Sequence, residues 1–122
     1  MIGGEPPKCI FVVEDEFLLA LSLVNDLRSA GYDVVGPYRS LSEAIEAEQK
    51  EQFDGAILDV NLKGEFVYPL AERLAKAAKP FVFLTGYNAA DLPPHLRSIM
   101  RIAKPYDPEI LLRQLRRLLS KA

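Results

Sequence analysis

The stretch "GAILDVNLKG", residues 55–64, leads an apolar run directly into a carboxylate. Ala56, Ile57 and Leu58 suit a strand that is covered on both faces, and Asp59 ends it before a polar loop and a glycine. Two interpretations are open at this point. Asp59 is either a turn or cap residue, or a reactive group at the carboxyl edge of a sheet.

Apolar runs that resemble this one recur along the chain, with helical patterns between them. Because strand and helix alternate five times, the sequence predicts an α/β fold with a five-stranded parallel sheet and helices on both faces. The flavodoxin-like strand order 2-1-3-4-5 is the natural arrangement for five such units. The five predicted strands are 9–13, 33–38, 55–59, 80–85 and 100–103.

Several residues mark where the helices begin and end. Ser40 followed by Glu43 is a capping-box pattern, and Gly31 is a plausible stop for the first helix. Asp107 and Pro108 suit the N-cap and first position of the last helix.

The helices after the third and fourth strands are less regular in sequence. The pattern of 65–78 predicts a helix with Pro69 near its first turn. Pro93 and Pro94 interrupt the segment before the fifth strand, so we expect a fourth helix that is short or irregular.

Bulk composition excludes several classes of function. The chain has 122 residues, a net charge of −2 and a pI near 5.4, so it carries no basic footprint for nucleic acid. No apolar stretch has the length of a membrane span, and the single cysteine, Cys9, fits a reducing compartment. We therefore expect a cytoplasmic protein with a flexible lead-in at 1–7, one domain at 8–122 and no output domain.

Polar residues end four of the five predicted strands. Glu14 and Asp15 follow the first, Asp59 ends the third, Thr85 ends the fourth and Lys104 follows the fifth. Ligands of open α/β sheets bind at the carboxyl ends of the strands, so these groups are expected to converge. Clustered carboxylates need a cation, and Mg²⁺ suits oxygen ligands beside phosphate. A carboxylate beside a lysine and a hydroxyl is a sensible acceptor for a phosphoryl group.

Four motifs in order, "VVEDE", "ILDVNLKG", "FLTG" and "AKPY", resemble the receiver (REC) domain of two-component response regulators, the CheY-like fold. The resemblance covers the chain from about Lys8 to its end. It implies a phosphoprotein of bacterial two-component phosphorelay signalling, which accepts phosphate from a sensor histidine kinase or a histidine phosphotransfer protein and then acts on an unknown downstream protein. In this family the strand-three aspartate is the acceptor, which maps onto Asp59.

The same resemblance assigns the other site residues. Glu14, Asp15, Asp59 and the backbone of Asn61 are expected to hold Mg²⁺. Thr85, Gly86 and Lys104 are expected to contact the phosphoryl group, and the Lys104-Pro105 bond is expected to be cis. Asn61 and Tyr87 are expected to tune self-catalysed loss of phosphate, which is slow.

One position departs from the usual receiver pattern. Receivers carry Tyr or Phe three residues before the lysine, but this chain has Arg101 there. "PFVFLTGY" resembles the single-domain subgroup named for a Phe-Ala-Thr-Gly-x-Tyr ("FAT GUY") motif, with Leu84 in place of alanine. We therefore hypothesise that Tyr87 to Ile99 changes its order on phosphorylation.

Three functions are compared. The first is a stand-alone phosphoacceptor that switches protein–protein interactions and is not an enzyme. The second is a phosphatase with an aspartyl-phosphate intermediate. Such an enzyme would place an acid two residues after the nucleophile, where this chain has Asn61. The third is a pseudo-receiver that binds a partner without phosphorylation.

The acidic run at 14–16 also has a simpler interpretation, as the solvated start of a helix.

Overall fold

The computed structural model describes residues 5–86 and 91–120. Its centre is a sheet of five strands in which every neighbouring pair is parallel. By position in the chain these are strands 2-1-3-4-5, so the predicted α/β fold and strand order are confirmed. The strands are β1 (Cys9–Val13), β2 (Asp33–Tyr38), β3 (Gly55–Asp59), β6 (Phe81–Thr85) and β7 (Arg101–Ala103), and a separate two-stranded hairpin consists of β4 (Asn61–Leu62) and β5 (Glu65–Phe66).

Four α-helices lie in the described ranges: α1 (Phe17–Ser29), α2 (Leu41–Lys50), α3 (Tyr68–Lys76) and α4 (Pro108–Ser120). None of the helices in those ranges has the length and apolar character that crossing a membrane requires.

The sheet separates two apolar cores. Because side chains alternate along a strand, Phe11 and Val13 enter one core and Ile10 and Val12 enter the other. The core with Phe11 also contains the buried residues of α2 and α3, and the opposite core contains buried leucines of α1 and α4. Each face of the sheet is therefore covered by two helices, which is why the central strands read as continuous apolar runs.

The predicted helix signals are found in the structure. Ser40 Oγ accepts a hydrogen bond from the backbone N–H of Glu43 at 3.2 Å. Asp107 Oδ1 accepts one from the N–H of Glu109 at 2.8 Å, and α4 begins at Pro108. Gly31 follows α1 with φ +95°, a conformation that suits glycine. These contacts satisfy backbone groups that a helix terminus leaves without partners.

The helix predicted over 65–78 is too long at both ends, because α3 spans only Tyr68–Lys76. The preceding residues form the hairpin β4–β5 instead, in which Asn61 pairs with Phe66. Lys63 and Gly64 have φ of 53° and 89° at its tip, and two consecutive positive φ values are typical of the tight turn of a hairpin. Pro69 lies in the first turn of α3, as predicted.

The connection from β6 to β7 has no regular α-helix in its described part. A three-residue 3₁₀ helix, Pro94–Leu96, stands there, which confirms the prediction of a short or irregular fourth helix. Leu92 and Leu96 are both buried in the core below α3. The Lys104-Pro105 peptide bond that follows β7 is cis, as expected.

Gly36 lies in the edge strand β2, close to the backbone of β1. It has φ +99°, and a Cβ there would lie 2.6 Å from the carbonyl oxygen of Val12. Gly64 also has positive φ (+89°), but a Cβ there would meet nothing within 4 Å. A side chain at Gly64 would therefore cause conformational strain alone, whereas one at Gly36 would also cause a steric clash.

We predict that Gly36→Ala destabilises the fold by about 3 kcal/mol, and Gly64→Ala by only about 1 kcal/mol. Gly64→Ala introduces only the strain of a left-handed backbone, whereas Gly36→Ala also forces β2 away from β1. Urea denaturation monitored by circular dichroism measures both. Equal losses would show that the close approach to Val12 contributes nothing.

Candidate functional site

The carboxyl ends of β1 and β3 bring three acids together. Asp59 is the last residue of β3, and Glu14 and Asp15 follow β1, its neighbour in the sheet. One carboxylate oxygen from each of the three lies within 4.8 Å of the other two. The sequence placed these residues at one sheet edge, and the structure brings their oxygens to the spacing at which one ion could touch all three.

Lys104 supplies the positive charge in this group. Its Nζ lies 3.0 Å from Glu14 Oε1 and 3.2 Å from Asp59 Oδ1. Lys104 follows β7, and its backbone N–H donates to the carbonyl of Thr85 at 3.1 Å, which joins β7 to β6 next to the site. One ammonium therefore links the ends of three strands.

Glu14 is fully buried, which is unusual for a charged residue. Its backbone N–H donates to the carbonyl of Tyr38 at 2.9 Å, and its Oε2 accepts from the N–H of Glu16 at 3.0 Å. Its Oε1 forms the ion pair with Lys104, but the angles of that contact are not those of a hydrogen bond. This oxygen therefore retains capacity for a further partner.

The electrostatics of the site favour a proton on Asp59. Its burial, together with the charge of Glu14, raises the pKa of Asp59 from 3.8 to about 7, and a contact with Asp15 acts in the same direction. The ammonium of Lys104 opposes this rise. Burial alone would lower the pKa of Lys104, but contacts with Glu14 and Asp59 raise it above its usual value. The site has more negative charge than one lysine balances.

The residues present fit a hard divalent cation. Three clustered carboxylates offer the oxygen ligands that Mg²⁺ prefers, and those of Glu14 and Asp59 are buried. A cation would also relieve the mutual repulsion of the acids.

The remaining predicted residues lie around this group. The N–H of Asn61 points to Asp59 Oδ1 at 3.4 Å, and Asn61 Oδ1 accepts from the N–H of Gly64 at 2.6 Å. Thr85 is buried at the end of β6, beside β3, and Gly86 is exposed immediately after it. Arg101 is exposed at the start of β7. Tyr87 lies outside the described residues.

A family model for the response regulator receiver domain matches residues 10–116. The chain belongs to this family. Receiver domains are signalling domains of two-component systems rather than classical enzymes, so the resemblance of the four motifs is confirmed at the level of the family.

Curated relatives extend beyond this chain. It is 29% identical over 104 residues to the transcriptional regulatory protein PdtaR of Mycobacterium tuberculosis, an alignment that covers 82% of this chain and 51% of PdtaR. It is 31% identical over 110 residues to nodulation protein W of Bradyrhizobium diazoefficiens, covering 84% of this chain and 47% of that protein. The chain thus spans about half the length of these relatives.

Solved structures agree in fold. The solution structure of SdrG from Sphingomonas melonis Fr1 superimposes with a TM-score of 0.82 at 33% identity and covers 95% of this chain and 99% of that one. A CheY-like receiver domain protein from Methanospirillum hungatei gives a TM-score of 0.83 at 24% identity, covering 94% and 95% of the two chains. The second likeness is one of fold alone.

Sequence reasoning missed two features of the site. It expected Glu14 to serve a metal and Lys104 to serve a phosphoryl group, but not the 3.0 Å ion pair between them. It also did not identify the exposed apolar side chains with which α1 begins beside the site, Phe17, Leu18 and Leu21. The adjacency of Phe17 and Leu18 to the acidic run was the signal that could have revealed them.

We predict that Asp59→Asn stabilises the fold in metal-free buffer, and more so at pH 8 than at pH 4.5. Because the folded-state pKa of Asp59 is raised to about 7, its favourable contribution is complete below about pH 4 and is lost as pH rises through 7. We expect a gain of about 2 kcal/mol at pH 8, less than the full conversion of the shift because the surroundings relax.

Thermal denaturation in EDTA at both pH values measures this gain. Asp33→Asn, which removes an exposed carboxylate at the opposite end of the sheet, is the matched control and should show little change. A gain for Asp59→Asn that does not depend on pH would contradict the assignment of repulsion to this carboxylate.

Proposed function

We propose that this chain accepts a phosphoryl group on Asp59 from a histidine kinase or a histidine phosphotransfer protein, and thereby switches its contacts with a downstream protein. The single observation that supports this most directly is the position of Asp59: its side chain is 7% exposed and its Oδ1 lies 3.2 Å from the ammonium of Lys104. A carboxylate held next to a cation, at the ligand-binding edge of an α/β sheet, is suited to nucleophilic attack on phosphorus.

The proposed transfer is a simple displacement. An oxygen of Asp59 attacks the phosphorus of a phosphohistidine, the O–P bond forms as the P–N bond breaks, and the imidazole nitrogen keeps the electron pair and takes up a proton. Lys104 holds the equatorial phosphoryl oxygens, and the hydroxyl of Thr85 and the N–H of Gly86 donate to them. Such chemistry depends mostly on position and charge.

Mg²⁺ bound by Asp15, Asp59, Glu14 and the backbone carbonyl of Asn61 would neutralise the charge that develops on the phosphoryl oxygens. The ion pair between Lys104 and Glu14 keeps the ammonium near Asp59 before the phosphoryl group arrives. Loss of phosphate returns the chain to its first state: water attacks phosphorus, the O–P bond to Asp59 breaks, and inorganic phosphate leaves. Asn61 and Tyr87 are the residues proposed to set that rate.

The relationship to SdrG supports both the switch and the proposed subgroup. A solution structure of SdrG in a BeF₃-activated conformation is 34% identical to this chain, with a TM-score of 0.77 over 91% of it. That protein therefore has a conformation that depends on a phosphoryl analogue. We propose the same for this chain, as a member of the Phe-Ala-Thr-Gly-x-Tyr subgroup that acts in the cytoplasm.

We predict that acetyl phosphate with Mg²⁺ adds one phosphoryl group to the wild-type chain and none to Asp59→Asn. Intact-mass spectrometry detects the addition of about 80 Da for one phosphoryl group. Omission of Mg²⁺, or Lys104→Met, should slow the reaction by at least a hundredfold because charge on the phosphoryl oxygens is no longer balanced. A wild-type chain that remains unmodified would instead support the pseudo-receiver, which binds a partner without phosphorylation.

The exposed apolar start of α1 is a candidate contact for the phosphodonor protein. Phe17, Leu18 and Leu21 are 64%, 72% and 49% exposed, and α1 begins three residues after Glu14. A cluster of large apolar side chains is unfavourable in water and marks a protein interaction surface. A donor protein that packs on it would bring its phosphohistidine to the edge where Asp59 lies.

We predict that Leu18→Glu slows phosphorylation by a histidine kinase at least tenfold and leaves phosphorylation by acetyl phosphate unchanged. The substitution removes a buried contact in the complex and buries a charge in its place. Asn25→Glu is the control, because it adds the same charge two turns further along the same helix. Equal effects on both donors would mean that Leu18 acts through the fold.

The described residues of the β6–β7 connection indicate what a switch there requires. Leu92 and Leu96 are 1% and 2% exposed, and Arg97 Nε donates to the carbonyl of Leu92 at 2.9 Å. Any change of order in the segment must therefore withdraw or repack two leucines. The position of the usual aromatic switch is occupied by the exposed Arg101.

We predict that BeF₃⁻ with Mg²⁺ changes amide exchange of residues 91–99 by more than threefold, because the anchoring leucines repack when the site fills. Hydrogen exchange read by mass spectrometry measures this, and amides of β2, the edge strand farthest from β7, serve as the internal control. An unchanged segment in a chain that demonstrably binds BeF₃⁻ would refute the proposed switch.

A further inference from the structure

A basic cleft lies at the opposite edge of the sheet from Asp59. It is bounded by Lys8, which precedes β1, by Tyr32, and by Arg113, Arg116 and Arg117 of α4. Its volume is about 480 Å³, and Leu119 contributes an apolar wall. We name this the basic cleft. Because strands β1 and β3 run from this edge toward Asp59, the cleft is separate from the proposed phosphoacceptor site.

The four cations of the basic cleft have no acidic partner among residues 5–86 and 91–120. Lys8, Arg113, Arg116 and Arg117 form none of the ion pairs found there. The chain has 17 acidic residues against 15 lysines and arginines, so acids were in excess to neutralise them. A concentration of four unpaired cations on an acidic chain indicates a surface whose counter-charge comes from another molecule.

The spacing of the arginines in the cleft also suits a ligand with two carboxylates. Arg113 and Arg117 are one helical turn apart, about 6 Å along α4, and arginine can bind a carboxylate with two parallel hydrogen bonds. Carboxylates four residues apart on a helix, or two apart on an extended strand, have a similar spacing. Arg116 lines the cleft together with Tyr32, and its charge opposes the rise that burial causes in the pKa of the Tyr32 phenol. Tyr32 and Leu119 together can cover an apolar side chain.

We propose that the basic cleft binds an acidic segment of a partner protein, in which two carboxylates about 6 Å apart flank an apolar side chain. The net charge of −2 and the pI near 5.4 disfavour long polyanions, because a nucleic acid or an anionic membrane would also meet the acidic remainder of the surface. A short acidic segment meets only the cleft. The interaction is open to solvent, so it is weak and sensitive to salt.

The test uses the full chain labelled with ¹⁵N and a synthetic ten-residue peptide that contains four glutamates and two leucines. In low salt, the peptide should shift the amide signals of Lys8, Tyr32 and the second half of α4, and a glutamine version of the peptide should shift none of them. Arg113→Glu/Arg117→Glu should weaken binding at least tenfold. Arg28→Glu/Arg39→Glu makes the same charge change at two other exposed arginines and should weaken it less than twofold.

Two controls separate this proposal from the others. Acetyl phosphate should still modify Arg113→Glu/Arg117→Glu at the wild-type rate, which shows that the variant is folded and that the cleft is independent of Asp59. A wild-type chain that cannot be phosphorylated but binds the peptide would refute the proposed function and leave this proposal intact. Equal binding by the two double variants, or tighter binding to phosphatidylglycerol vesicles or a ten-nucleotide RNA than to the peptide, would overturn it.

Discussion

The ion pairs of Lys104 with Glu14 and Asp59 are the constraint on which the site depends. Three carboxylates gathered at one sheet edge repel one another, and two of them are buried where water cannot screen the repulsion. The ammonium, at 3.0 Å and 3.2 Å, balances only part of that charge. Burial, together with this remaining excess of negative charge, raises the pKa of Asp59, and the excess would favour a bound cation. The proposed affinity for a metal would thus be a consequence of incomplete neutralisation.

This arrangement depends on the parallel sheet. Each strand runs in the same direction, so residues that are 44 positions apart in sequence, such as Asp15 and Asp59, reach the same edge. Two helices cover each face and leave only the ends of the strands open to a ligand. The pairing of β2 with β1 also holds Glu14, because its backbone N–H donates to the carbonyl of Tyr38 at the end of β2. Packing remote from the acids therefore sets their positions.

The two edges of the sheet differ in charge, and this gives the molecule two distinct surfaces. The carboxyl edge carries the acidic group and the apolar start of α1, whereas the amino edge carries the basic cleft. A protein that approaches Asp59 and one that occupies the cleft need not compete for space. If both proposals hold, a partner in the cleft could remain bound while Asp59 receives a phosphoryl group.

Some predictions from sequence failed where backbone conformation overrode the local pattern. Residues 65–67 directly precede a helix and were predicted to belong to it. Positive φ at Lys63 and Gly64 instead forms the turn of a hairpin, and the helix begins only after that hairpin. Helix caps were predicted correctly at Ser40 and Asp107 because capping is a contact between residues two or three positions apart. Local signals are thus reliable for helix ends and poor for a turn that precedes a helix.

The sequence by itself determined the alternation of strands and helices, the cover on both faces and the set of polar residues at the strand ends, since these follow from periodicity and from the direction of parallel strands. The strand order was predicted from the arrangement that is typical of five such units. Only the tertiary structure decided that Glu14 is fully buried, that Lys104 pairs with it, and that Lys8 and three arginines of α4 share a cleft in which none of them forms an ion pair with another described residue. Distances between side chains on different strands and helices depend on packing, and no pattern along the chain encodes them.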